Sequence, residues 1–151
     1  MADGLKDRLR EDLNVARRNR DKARTLVLTT TLSELRNREI ELGRDATDED
    51  VRAVVQRAVK RRREAAEQMR AGNREDLAAK EDAEAALLAD YLPAQLDADE
   101  VRAWVREAIA AGADNMGAVM GRIMPRIKGA FDGKEANRIV KEELEQAKHG
   151  A

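Results

Sequence analysis

With 151 residues, 39% of them charged and 2% aromatic, the chain has room for one domain or two small ones, with a core drawn from Leu, Val, Ile, Met and Ala. A formal net charge of −1 excludes a globally basic nucleic-acid binder. The lack of Cys excludes a disulfide framework, a thiolate zinc site and a thiol nucleophile.

No apolar run approaches the roughly 20 residues of a membrane span and no signal-peptide core opens the chain, so a cytoplasmic protein without membrane contact is expected. Apolar and charged residues alternate at helical spacing, which predicts an all-α fold. The first helix is expected over Asp3–Arg20, with Leu5, Leu9, Leu13 and Ala16 as its stripe. Asp21 then reads as the N-cap of a second helix over Lys22–Leu42, closed by Gly43. Its Thr29-Thr30-Thr31 run forms helix poorly, so packing must carry it. Thr47-Asp48-Glu49-Asp50 reads as the start of a third helix, its acids facing the positive end of the macrodipole. Val51, Val54, Val55, Ala58, Val59, Ala65, Ala66 and Met69 mark its apolar face. Gly72 is expected to end it and Asn73 to cap a fourth helix over Arg74–Asp90 that buries Leu77, Leu87, Leu88 and Tyr91.

Tyr91-Leu92-Pro93-Ala94-Gln95-Leu96 reads as a hinge. It sets a boundary between an N-terminal helical domain, 1–92, and a C-terminal one, 93–151. Asp97 to Glu100 has the capping-box pattern and opens a fifth helix carrying Val101, Trp104, Val105, Ala108 and Ile109, with Gly112 at its end. A sixth helix is expected from Asn115, with a face of Met116, Val119, Met120, Ile123, Met124 and Ile127. The three methionines read as core filler. Gly117 and Gly121 lie on another face and read as a site of close helix packing, and Pro125 is expected to bend or stop the helix. A turn over Lys128–Gly133, with Asp132 as N-cap, leads into a last helix over Lys134–Ala147. That helix has Lys134, Arg138 and Lys141 on one side and Ala136, Ile139, Val140, Leu144 and Ala147 on the other. Glu143 sits on the apolar side, where it fits poorly.

With these residues laid out, the chain resembles the YqeY (GatB/YqeY-like) family, and its C-terminal part resembles the tail domain of the GatB component of glutamyl/aspartyl-tRNA amidotransferase. The match rests on M-G-x-V-M-x-x-x-M-P-x-x-K-G over Met116–Gly129, followed by Asp132-Gly133-Lys134. Tyr91-Leu92-Pro93 with Gln95-Leu96, Asn73–Leu77, Lys60–Arg63 and Arg20-Asp21-Lys22 support it. The family pattern commonly has a basic residue where this chain has Ala130 and a small one at Phe131, so no side-chain phosphate grip is expected there. The resemblance implies an N-terminal bundle of helical hairpins followed by a small three-helix domain. It also implies a link to glutamine-dependent amidation of misacylated tRNA, with tRNA as partner and amidotransferase or aminoacyl-tRNA synthetase components as candidate protein partners.

The residue inventory argues against self-contained chemistry, so no catalytic residue, metal ligand or cofactor is assigned. A Ser–Ser–Lys amidase needs two serines and Ser33 is the only one. The sole His, His149, lies in the last three residues, where chains commonly fray. No glycine-rich nucleotide loop is present. The candidate nucleic-acid site is Arg122, Arg126, Lys128, Gly129, Gly133, Lys134, Arg138 and Lys141, opposed within that stretch only by Asp132 and Glu135. The N-terminus of the last helix adds N–H groups suited to phosphate. A secondary patch, Lys60, Arg61, Arg62 and Arg63, faces RNA, the acidic fourth helix, or Glu64 and Glu67 on its own helix. Three readings follow: a tRNA-binding or amidotransferase-accessory module; a carbon–nitrogen ligase with glutamine as amide donor; and a helical protein-interaction adaptor. Backbone and shape recognition is expected, because exposed aromatics are lacking.

Overall fold

A computed structural model of the chain describes residues 4–150. All regular structure among them is α-helical: α1 (Leu5–Arg18), α2 (Lys22–Leu42), α3 (Asp48–Ala71), α4 (Glu75–Ala89), α5 (Ala98–Ala110), α6 (Met116–Ile127) and α7 (Gly133–His149). The expected all-α fold is therefore found. Asp3, the expected start of α1, lies outside the described residues. The chain divides into two compact units, Met1–Leu92 and Pro93–Ala151.

In the first unit α3 and α4 form a hairpin, and α1 and α2 pack on each other and on α3. Leu9, Val27, Leu28, Leu35, Val51, Val55 and Leu88 make its core. The cap chemistry sets the helix limits. Asp21 accepts a hydrogen bond from Arg24 N at 3.1 Å, and Gly43 turns the chain out of α2 at φ +70°, a conformation glycine adopts without strain. Thr47 and Asp50 form a reciprocal capping box at the start of α3. The threonine run is tolerated because the buried Thr31 hydroxyl donates to the Val27 carbonyl at 2.8 Å, so no polar atom is stranded there.

Two expectations for α4 fail. Asn73 does not cap it. Gly72 stays at φ −91°, and the left-handed step falls on Asn73 at φ +61°, a position where Asn is the better tolerated non-glycine residue. Leu77 is exposed rather than buried. Tyr91, by contrast, is buried beyond the end of α4, with its hydroxyl donating to the Asp12 carboxylate and the Arg8 guanidinium 4.6 Å from its ring centroid. Burial, and then the Asp12 carboxylate, push the Tyr91 phenol above its ordinary range.

In the second unit α5, α6 and α7 pack pairwise around Val101, Val105, Val119, Ile123, Ile127, Ile139 and Val140. Asp97, Asn115 and Asp132 cap the three helices in turn. Of the methionine stripe only Met120 packs against the core, half-buried. Val119, Ile123 and Ile127, at i, i+4 and i+8, are at most 1% exposed, while Met116 and Met124 are each 37% exposed. The branched side chains set the inward direction, and the methionines flank it. Pro125 does not stop the helix at once, since α6 continues to Ile127. It removes the hydrogen bond to the Gly121 carbonyl, but Gly121 is exposed and solvent can serve that oxygen. The expected packing at Gly117 and Gly121 is also absent. A Cβ on Gly121 would meet nothing within 4 Å, and one on Gly117 only Asn115 Oδ1 at 3.5 Å.

Candidate nucleic-acid interface

The turn between α6 and α7 is held from within its own unit. Gly129 sits at φ +78°, which a side chain would strain. Its carbonyl accepts from Gln95 Nε2 at 3.2 Å, and the Ala130 carbonyl accepts from Leu96 N at 2.9 Å. The hinge stretch Pro93–Leu96 is therefore joined to Gly129, the end of the motif that carries the family resemblance, and to Ala130 beside it. Ala130 is buried, so the turn offers no side chain there for phosphate. Gly133, the first residue of α7, is exposed, and a Cβ there would meet nothing within 4 Å. The amino end of α7 is already occupied: the Asp132 carboxylate accepts from Glu135 N at 3.3 Å. A negative charge on that cap opposes a second anion, so the N–H groups are less suited to phosphate than a neutral cap would leave them.

The eight candidate residues do not act as one rim. Arg122, Lys134 and Lys141 are exposed and make no ion pair or side-chain hydrogen bond among the described residues. Lys128, the residue that ends α6, is exposed but has a partner. Arg126 leans toward α5. Its guanidinium lies 3.7 Å from the Trp104 ring centroid, and Nη1 is 3.6 Å from Glu107 Oε2. Arg138 is consumed within its own helix, donating to Glu135 and, at 2.5 Å, to Glu142. The Arg138 hydrogen bond holds the Glu135 carboxyl below its ordinary range, and the reciprocal bond raises Arg138.

Glu142 also accepts from Arg102 Nη2 at 2.9 Å, which lowers the Glu142 carboxyl. The misfit residue Glu143 is explained alongside it. It is 4% exposed, 2.5 Å from Arg106 Nε and 3.7 Å from Arg102 Nη1. One α7 flank is thus an acidic strip answering arginines of α5, and its outer face keeps Lys134 and Lys141 for solvent.

The secondary patch is dispersed by its partners. Arg61 donates to Glu34 of α2 at 2.6 Å. Arg62 is half-buried and reaches Glu84 and, at 3.4 Å, Glu81 of α4. Arg70 repeats the pattern with Glu75 and Asp82. Among the expected counter-charges, α4 is the one engaged; Glu64 and Glu67 are not the partners. Lys60 also has a partner, and Arg63 alone of the four is exposed without one.

Trp104 and Glu107 are the site residues that sequence reasoning missed. Nothing in spacing links them to Arg126, because the contact is made between helices. The neutralisation of Arg138 was legible: Glu135 and Glu142 stand at i−3 and i+4 from it.

Fold and site together define an all-helical, two-unit protein whose second unit carries a divided set of exposed cations on a small three-helix core. The chain belongs to the YqeY family: the model of the Yqey-like protein matches residues 6–144. This membership supports an amidotransferase-tail-like helical domain. Among curated proteins, it is similar to "Altered inheritance of mitochondria protein 41, mitochondrial" of Pyrenophora tritici-repentis (strain Pt-1C-BFP). The two are 29% identical over 141 residues, 89% of this chain and 78% of the relative. No helix among the described residues is long and apolar enough to cross a membrane.

Proposed function

We propose that the second unit holds structured RNA by its phosphate backbone, with tRNA as the class that the family resemblance implies. In this reading the chain is an accessory module of tRNA-dependent amidation and not a catalyst by itself. One observation carries it: Arg122, Lys134 and Lys141 are exposed cations without acidic partners in a unit whose other arginines, Arg102, Arg106, Arg126 and Arg138, are all paired. The bare Gly117–Gly121 face beside Arg122 supports it, since a backbone can approach a helix there without meeting a side chain. The compartment is one where tRNA is charged: the cytoplasm or, as in the name of the fungal relative, the mitochondrion.

A helical adaptor is the second reading, favoured for the first unit by the pairing of Arg62 and Arg70 with α4. Carbon–nitrogen ligase activity with glutamine as amide donor rests on the resemblance alone. Titrating labelled total tRNA with the protein at about 50 to 200 mM salt tests the first reading, because each phosphate contact contributes about −0.9 to the slope of log K against log salt. Changing Arg122, Lys134 and Lys141 together to Gln is expected to reduce the slope by about 2 to 3 with helicity unchanged. Absent binding at the lowest salt, or an unaltered slope in the triple variant, refutes it.

A further inference from the structure

Arg126 is an exposed arginine held on an aromatic face, closer to its ring than Arg8 is to Tyr91. Its guanidinium stacks on Trp104 at 3.7 Å from the ring centroid, and Trp104 is itself packed against the core of the second unit. Stacking fixes the plane of the guanidinium but leaves the N–H donors around its edge directed outward. One edge meets Glu107 at 3.6 Å, beyond hydrogen-bond length, and both side chains are largely open to water, Arg126 at 49% and Glu107 at 73%. Glu107 therefore neutralises Arg126 without locking it. Arg138 is the opposite case, with its donors committed to Glu135 and Glu142 through short bonds.

We propose that Glu107 occupies the position on Arg126 that an RNA phosphodiester takes, so that binding exchanges one anion for another on a guanidinium already positioned by Trp104. The inference rests on the RNA-backbone reading above. A phosphate wins the exchange because two of its oxygens match the paired donors of the guanidinium edge at hydrogen-bond distance, whereas the Glu107 carboxylate stands off at 3.6 Å. Arg126 contributes one phosphate contact beyond those of Arg122, Lys134 and Lys141. Trp104 is a positioning residue and touches no RNA itself.

The test is a set of five tRNA titrations at low salt, using the full chain: the unaltered protein and four variants. Glu107→Gln is expected to tighten binding by about 2- to 5-fold, the strength of an exposed ion pair. Glu145→Gln removes the same unit of charge from an exposed, unpartnered position on α7, and it should give a smaller gain. In an Arg126→Gln background, Glu107→Gln should give no gain over Arg126→Gln alone. All of these side chains are exposed, so unchanged circular dichroism is expected throughout. A Glu107→Gln gain no larger than that of Glu145→Gln, or a gain that persists without Arg126, overturns the exchange while leaving the RNA reading intact. Failure of the unaltered protein to bind tRNA overturns both.

Discussion

Removing the buried carboxylate of Glu143 tests the physical account of the second unit most directly. Glu143 is 4% exposed on the inward side of α7, with Arg106 at 2.5 Å and Arg102 at 3.7 Å. Breaking a fully buried ion pair costs about 3–5 kcal/mol, because the surviving charge is stranded away from water. Here neither arginine would be stranded: the Arg106 side chain is 65% exposed, and Arg102 keeps Glu142 at 2.9 Å. The cost of Glu143→Gln then reduces to the one charge-assisted hydrogen bond from Arg106 and the longer ion pair with Arg102, discounted for the exposed partner, at about 1–2 kcal/mol. Glu143→Leu loses the same bonds but places an apolar side chain against Ile139 and Val140, and should fall within about 1 kcal/mol of the unaltered protein. Trp104, the only tryptophan, lies in this unit, so its fluorescence follows the unfolding of this unit. With a urea slope of about 1 kcal/mol per M, the Gln variant should lose about 1–2 M of midpoint. A Gln variant with an unchanged midpoint, or a Leu variant weaker than Gln, would refute the reasoning.

Two glycines should respond oppositely to Ala. Gly129→Ala forces a side chain to φ +78°, at a cost of about 1–2 kcal/mol, although the new Cβ would clear Pro93 by 3.8 Å. Gly121→Ala meets open space on a helix and should gain about 0.5–1 kcal/mol; urea midpoints read by Trp104 fluorescence check both. For acid stability, the Arg44 hydrogen bond and then the Thr47 N–H hold the Asp50 carboxyl down at about 2, below its ordinary 3.8. A depressed folded-state value means that its contribution is present at neutral pH and lost as pH falls from about 3.8 through about 2. Asp50→Asn should therefore lower the melting temperature at pH 7, and the gap to the unaltered protein should close near pH 2. A gap that stays constant across that range would show that Asp50 acts only as a cap.

What the sequence determined by itself was mostly local. Helix limits were legible wherever a cap residue and an apolar period agreed, as at Asp21 with Gly43, at Thr47 with Asp50, and at Asn115. These effects arise within one turn of chain, so a single stretch contains all their causes. The candidate site was also visible, as a local excess of cations around the α6–α7 turn.

Tertiary structure decided which of those cations remain available. The pairing of Arg138 within its own helix needed no second element, whereas Arg126 is drawn onto Trp104 of α5, and Arg62 is claimed by α4. The same holds for Asp48, which reads as an acid at the start of its own helix, yet its carboxylate accepts from Leu5 N of α1 at 2.9 Å. Glu143 reads as a misfit on an apolar stripe until α5 brings two arginines to it. Spacing along the chain fixes which side chains share a helix face. The partner of a charge on that face is often set by the packing of another helix, which fixes the distance, geometry and burial on which Coulomb and hydrogen-bond energies depend.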